Sequence, residues 1–125
     1  MFYIGVDLGT SLTKCLIVSP DGSTLARSAV PVACQLSPGG WAELDPELWW
    51  RSARDAVRQA LADMPYSLPE ATLSISSQGL SFVLMDEWDR PLGSAISTLD
   101  TRAGKQALEL TEVISEADLF ALTGK

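Results

Sequence analysis

The sequence predicts an α/β domain whose mixed sheet opens with a three-strand antiparallel meander. Three observations carry this. Two apolar runs, one ending at Asp7 and one from Leu12 to Val18, flank a short turn containing Gly9. A third run from about Thr24 to Ala33 follows the turn Ser19-Pro20-Asp21-Gly22-Ser23, and Asp-Gly is a strong hairpin signal. The apolar period then changes from 2 to 3.6 and later returns, as expected for a helix crossing between strands of one sheet.

In the first strand Phe2, Ile4 and Val6 point to one face, while Tyr3, Gly5 and Asp7 point to the other. After the meander, Ser37-Pro38-Gly39-Gly40 breaks the pattern. Asp45-Pro46-Glu47 then predicts a helix start, with a carboxylate N-cap, proline at the first helical position and an acid in the first turn. That helix is expected to run to about Asp63. Its apolar stripe is Trp49, Ala53, Ala56, Val57, Ala60 and Met64, with Arg51, Arg54, Asp55 and Arg58 opposite, and Trp49 and Trp50 are read as packing residues. A loop from Pro65 to Pro69 leads to strands at Ala71 to Ser76 and Leu80 to Met85. Glu87-Trp88-Asp89-Arg90-Pro91 turns the chain, and helices are predicted at about Arg102 to Glu112 and Glu116 to Leu122. A meander, a crossing helix and a further strand open the ribonuclease-H-like, or actin-like ATPase, arrangement, an analogy at the level of fold.

Composition narrows the chemistry. A chain of 125 residues with 46% hydrophobic residues suits one domain with a real core and leaves no room for two lobes. The net charge of −7, with no cluster of Lys and Arg, argues against a nucleic-acid partner. Histidine is absent, so any acid–base work falls to carboxylates. Cys15 and Cys34 read as two reduced thiols rather than a disulfide or metal pair. No basic segment precedes an apolar run at the N-terminus and no apolar stretch approaches membrane-spanning length, so no membrane partner is expected and a cytoplasmic location is.

The segment from Ile4 to Lys14 carries the most chemistry. Gly9 removes a side chain at the bend, so the backbone can come close to a ligand, and Thr10 and Ser11 add hydroxyls and amide donors. Successive N–H groups in such a turn form an anion-binding concavity, to which Lys14 adds a point charge suited to phosphate. A carboxylate beside a polyphosphate is repulsive unless a cation lies between them. Asp7 therefore points to a magnesium nucleotide, with the metal held directly or through water. The plainer reading is a hairpin turn rich in ordinary turn formers.

Taken together, Ile4-Gly5-Val6-Asp7-Leu8-Gly9-Thr10-Ser11 resembles the first phosphate motif of the FGGY carbohydrate kinases. Three further segments resemble that family in order and spacing. They are Gly40-Trp41-Ala42-Glu43-Leu44-Asp45-Pro46-Glu47-Leu48-Trp49-Trp50, then Ile75-Ser76-Ser77-Gln78-Gly79, then Arg90-Pro91-Leu92 with Ala95-Ile96 and Leu99-Asp100-Thr101-Arg102. The resemblance runs from Phe2 to Gly124. It implies ATP and Mg2+ as cofactors, with Asp7 near the metal and Gly9, Thr10, Ser11 and Lys14 around the phosphates. It further implies that Gln78, Gly79 and Leu80 border the pocket of a sugar or polyol, xylulose-like, and that Asp100 and Arg102 either shape that pocket or form a structural pair. Gly79-Leu80 offers neither charge nor side-chain hydrogen bond where family members often have polar or sulfur-containing residues, and Thr98 stands where the family usually has tryptophan.

The resemblance also implies that residues 1–125 are the N-terminal portion of the first kinase domain, with the catalytic aspartate and the adenine-binding lobe beyond them. The isolated chain is then expected to be inactive, and an exposed domain edge to favour self-association. Two other classes stay open: a non-catalytic nucleotide- or sugar-binding or assembly module of the same fold, and a metal-dependent nuclease using Asp7, Glu47 and Asp86.

Overall fold

A computed structural model describes residues 1–67 and 69–124, so part of the loop expected between Pro65 and Pro69 lies outside the described residues. Strands β1 (Phe2–Leu8), β2 (Leu12–Val18) and β3 (Thr24–Pro31) form the expected meander. Helix α1 (Pro46–Ala62) then crosses to β6 (Ala71–Ser77), which pairs parallel to β1. The sheet order is β3-β2-β1-β6. Parallel neighbours cannot be joined by a hairpin, and α1 is part of the long crossover between them.

The period-2 pattern places Ile4 and Val6 of β1, Cys15 and Ile17 of β2 and Ala26 of β3 on the face covered by α1. The helix meets them with Ala56 and Ala60, both fully buried, and their small side chains let its axis come close to the sheet. Burying each of the larger aliphatic side chains contributes about 1.5–3 kcal/mol. The helix starts as expected: the Asp45 carboxylate accepts from the Glu47 N–H at 3.0 Å, and Pro46 occupies the first turn. One contact escapes a search for apolar stripes. Ser52 is buried within the helix, its hydroxyl donates to the Trp49 carbonyl at 2.9 Å, and the buried Thr13 hydroxyl of β2 lies 2.7 Å from it. The Ser28 hydroxyl of β3 likewise donates to the Ala56 carbonyl at 2.6 Å. These hydroxyls pin the helix axially where alanines alone would let it slide.

The segment before α1 differs from the expectation of a simple break. Residues 37–40 close a hairpin between β4 (Gln35–Ser37) and β5 (Trp41–Leu44), with Gly39 and Gly40 at φ 89° and 83°. A side chain at Gly40 would be strained by that φ and would also collide with the Thr101 hydroxyl. β5 pairs antiparallel with β7 (Ala95–Ile96), making a second, three-stranded sheet. The strand expected from Leu80 to Met85 does not form: Phe82 and Met85 make only isolated bridges, to Ile96 and Pro91. Leu80, Phe82, Leu84 and Met85 are exposed, and of this apolar run only Val83 packs against a core cluster. A second core cluster of Val32, Leu44 and Ala95 packs against Leu48, Trp49 and Val83, so the first turn of α1 serves this cluster while its middle serves the first. Trp49 is thus a packing residue as expected, whereas Trp50 is 65% exposed and is not.

Helices α2 (Gly104–Thr111) and α3 (Glu116–Thr123) lie near the expected positions, the latter capped by the Ser115 hydroxyl accepting from the Asp118 N–H at 3.1 Å. Neither buries a residue, and Leu108, Val113, Phe120 and Leu122 are exposed. Among the described residues, no helix is long and apolar enough to cross a membrane.

Ser52→Ala leaves the buried Thr13 hydroxyl without its partner and is expected to cost about 1–3 kcal/mol in urea unfolding. Adding Thr13→Val removes the orphaned group, so the double variant is expected to lose less than the sum of the two single losses.

Candidate functional site

Because β1 and β6 run parallel side by side, their carboxyl ends leave the sheet at one edge. The turn after β1 is held there from two sides. The Gln78 N–H, just past β6, donates to the Leu8 carbonyl at 2.9 Å, and the Val32 N–H, just past β3, donates to the Ser11 carbonyl at 2.9 Å. Within the turn, the Gly9 N–H donates to the Leu12 carbonyl at 3.1 Å. A Cβ at Gly9 would lie 2.8 Å from that carbonyl oxygen, so glycine is required by close approach across the turn.

Among the described residues, the amides and hydroxyls of Thr10 and Ser11 have no hydrogen-bond partner in the fold. Asp7 and Lys14 are directly opposite one another in the β1–β2 ladder, on the sheet face away from α1. Both are exposed, and neither joins an ion pair among the described residues. Together with Gly5, Leu16, Arg27 and Ser76 they line an open depression of about 730 Å³. Thr10 and Ser11 do not line that depression; the turn displays unused donors, and the free carboxylate and free cation stand on the strands that lead into and out of it. Free N–H donors and a nearby cation are the chemistry that suits a phosphate group.

The second group of expected residues divides. Gln78, Gly79 and Leu80 follow directly on β6 beside the turn, and the Gln78 side-chain oxygen is buried without a hydrogen-bond partner in the fold. Asp100 and Arg102 are committed elsewhere. The Arg102 guanidinium contacts Asp100 at 2.6 Å and Glu43 at 2.6 Å and stacks over the Trp41 ring at 3.9 Å. Asp100 also accepts from the Ala42 N–H at 2.8 Å. The Arg102 guanidinium, followed by the Ala42 and Arg102 amides, holds the Asp100 carboxyl well below the usual carboxylate range. With the Thr101 N–H donating to Gly40 at 2.8 Å, this network fastens the segment after β7 to β5. That Trp41 and Glu43 join the pair carries no local sequence signal, because Glu43 stands 59 positions from Arg102.

Asp7, Glu47 and Asp86 do not gather into a nuclease-like cluster: no group of three metal-ligating side chains occurs among the described residues. Asp86 instead closes a hairpin, accepting from the Trp88 and Arg90 amides at 2.9 Å each and pairing with the Arg90 side chain at 3.0 Å.

This architecture is the actin-like ATPase fold of sugar kinases. Over 97% of its length the chain superposes on the xylulose kinase of Rhodospirillum rubrum with a TM-score of 0.87 and 26% identity, covering 25% of that protein. Residues 2–125 match the N-terminal domain of the FGGY family of carbohydrate kinases, and the chain belongs to that family. It is 28% identical to the xylulose kinase of Staphylococcus xylosus over 123 residues, or 98% of this chain and 25% of the relative. It is 34% identical to the L-xylulose/3-keto-L-gulonate kinase of Escherichia coli over 104 residues, or 82% of this chain and 21% of the relative. The chain therefore spans about a quarter of the length of these relatives.

Asp100 stabilises the fold only while ionised. Because its pKa is depressed in the native state, that contribution is present above about pH 4 and is lost as pH falls further. Asp100→Asn is expected to lower the melting temperature at neutral pH and to flatten its decline on acidification, as followed by circular dichroism across that range.

Proposed function

We propose that this chain forms the phosphate- and acceptor-binding wall of an ATP-dependent carbohydrate kinase, which transfers the γ-phosphate of ATP to a hydroxyl of a xylulose-like sugar or polyol. The observation that carries the reading is the turn after β1. Its Thr10 and Ser11 amides and hydroxyls are unused by the fold, and Asp7 and Lys14 face each other unpaired beside it. Phosphoryl transfer depends mainly on positioning and on stabilising charge on the phosphate oxygens. Lys14 and the turn amides supply fixed positive charge and donors for those oxygens, and Gly9 lets the backbone approach them. A magnesium ion, when bound, would neutralise charge between phosphate oxygens and the Asp7 carboxylate, which is exposed and free to hold it or its waters. Gln78, anchored by its own amide to Leu8, borders the acceptor with Gly79 and Leu80. Asp100 and Arg102 act at one remove, by holding the segment that carries Thr98 against β5.

The group that takes the acceptor's proton is assigned to no residue of this chain. Such help is worth about 10²–10⁴-fold, so the chain alone is expected to bind nucleotide without turning it over. A cytoplasmic setting and self-association along the outer edge of β6, where Leu73 and Ile75 are exposed, belong to the same reading.

Asp7→Ala is expected to abolish the part of ATP affinity that depends on magnesium while leaving the melting temperature unchanged, since Asp7 is exposed and unpaired; titration of ATP with and without magnesium checks this. Equal affinity under both conditions in the unmutated chain would refute the role. Lys14→Ala is expected to weaken ATP roughly tenfold or more with or without magnesium, the value of a charge-assisted hydrogen bond. A coupled assay of the unmutated chain with ATP and D-xylulose is expected to show no sugar-dependent ADP formation.

A further inference from the structure

The turn after β1 is closed by the opposed pair Leu8 and Thr13, with Asp7 opposite Lys14 one step further along the ladder. From Gly9 to Lys14 only Thr13 is buried, and it is fully so. Its neighbours Leu12 and Lys14 point to the open face, as alternation along a strand requires, so Thr13 points toward α1. There it meets Ser52, the two hydroxyl oxygens 2.7 Å apart. Because the Ser52 hydroxyl donates its proton to the Trp49 carbonyl, Thr13 is the donor of the pair.

The placement of these hydroxyls is selective. The buried stripe of α1 is Ser52, Ala56 and Ala60, and the core face of β2 is Thr13, Cys15 and Ile17. In both elements the one hydroxyl stands at the end nearest the turn. Stability does not account for this, since replacing both partners of a buried hydroxyl pair by apolar groups of the same shape is close to neutral. What the pair adds is direction: an apolar contact tolerates sliding, whereas a satisfied buried hydrogen bond fixes one arrangement. The other bonds that hold the turn run between backbone groups, from Gln78 to Leu8, from Val32 to Ser11 and from Gly9 to Leu12, and none comes from α1. Among the described residues, the Thr13–Ser52 bond is the one side-chain hydrogen bond between α1 and the β1–β2 hairpin. Trp49, whose carbonyl ends the relay, also packs in the cluster that contains Val32, so Ser11 and Thr13 are both referred to the start of α1.

We propose that Thr13 is a positioning residue of the turn: through Ser52 it sets the base of the turn against α1 and so fixes the spacing of the Thr10 and Ser11 donors, Asp7 and Lys14. This rests on the reading that the turn holds the phosphates of ATP; Thr13 itself faces the core and touches no ligand. The test uses the 125-residue chain. Thr13→Val combined with Ser52→Ala removes both hydroxyls and leaves no orphan. It is expected to weaken magnesium ATP roughly threefold or more, a coupling of the size that packed contacts carry between sites. It is also expected to speed hydrogen exchange at the Gly9 N–H relative to the Ala60 N–H of α1, as local opening of the turn requires. Thr13→Ser keeps the hydroxyl and is expected to retain the affinity even where loss of the methyl group lowers the melting temperature. Ser28→Ala removes the other hydroxyl bond between sheet and helix, to Ala56, one turn along the helix from Ser52. It is expected to lower the melting temperature and to leave ATP affinity and Gly9 exchange unchanged. Unaltered affinity or unaltered Gly9 exchange in the double variant would reduce the pair to packing and overturn the proposal. So would an equal loss of affinity in Ser28→Ala, or a loss in Thr13→Ser that matches the double variant. If the unmutated chain binds magnesium ATP, any of these results leaves the kinase reading standing; if the unmutated chain binds none, the kinase reading fails and this proposal with it.

Discussion

The parallel pairing of β1 with β6 is the constraint on which the rest of the structure depends. Antiparallel neighbours can be linked by a two-residue turn, but parallel ones require the chain to travel the length of the sheet and return. Helix α1 makes most of that return, and in doing so covers the face formed by Ile4, Val6, Cys15, Ile17 and Ala26. The same pairing brings the carboxyl ends of both strands to one edge. The turn after Leu8 and the Gln78-Gly79-Leu80 segment after Ser77 become neighbours there, although about seventy residues separate them in sequence.

The second sheet works as a brace for that edge. Its hairpin and β7 enclose Val32, Leu44 and Ala95, and Trp49 at the start of α1 joins them. The Arg102 network binds the segment after β7 to β5 by two carboxylates and an aromatic face at once. Single exposed ion pairs contribute little, but a planar guanidinium shared in this way fixes orientation as well as charge. The consequence reaches the site through Thr98, whose amide meets Ser81 beside Leu80. Asp100 and Arg102 thus hold the backbone on which Thr98 and Ser81 meet.

Much of the first sheet was legible because its signals are local. Alternation in β1 and β2, the Asp-Gly turn and the Asp45-Pro46 helix start each depend on residues a few positions apart, and each formed near its expected bounds. The second sheet was less legible. β4 and β7 are three and two residues long, too short for periodicity, and their strand state comes from pairing with β5. The apolar run from Leu80 to Met85 misled for the converse reason: it has strand composition, but only isolated bridges receive it.

For the candidate site, the sequence by itself placed groups suited to phosphate close together, since Asp7, Gly9, Thr10, Ser11 and Lys14 lie within eight residues around one turn. Their spacing alone implies a carboxylate, donors and a cation in reach of one another. Tertiary structure decided what those groups face and which are free. Only the fold shows that Thr10 and Ser11 keep unused donors, that Arg102 is engaged by Glu43 and Trp41, and that Leu80 is held exposed in a left-handed conformation. The physical reason is that availability is a property of neighbours in space: a side chain's type is written in the chain, but whether it is satisfied depends on segments brought to it by the β1–β6 pairing and its crossover.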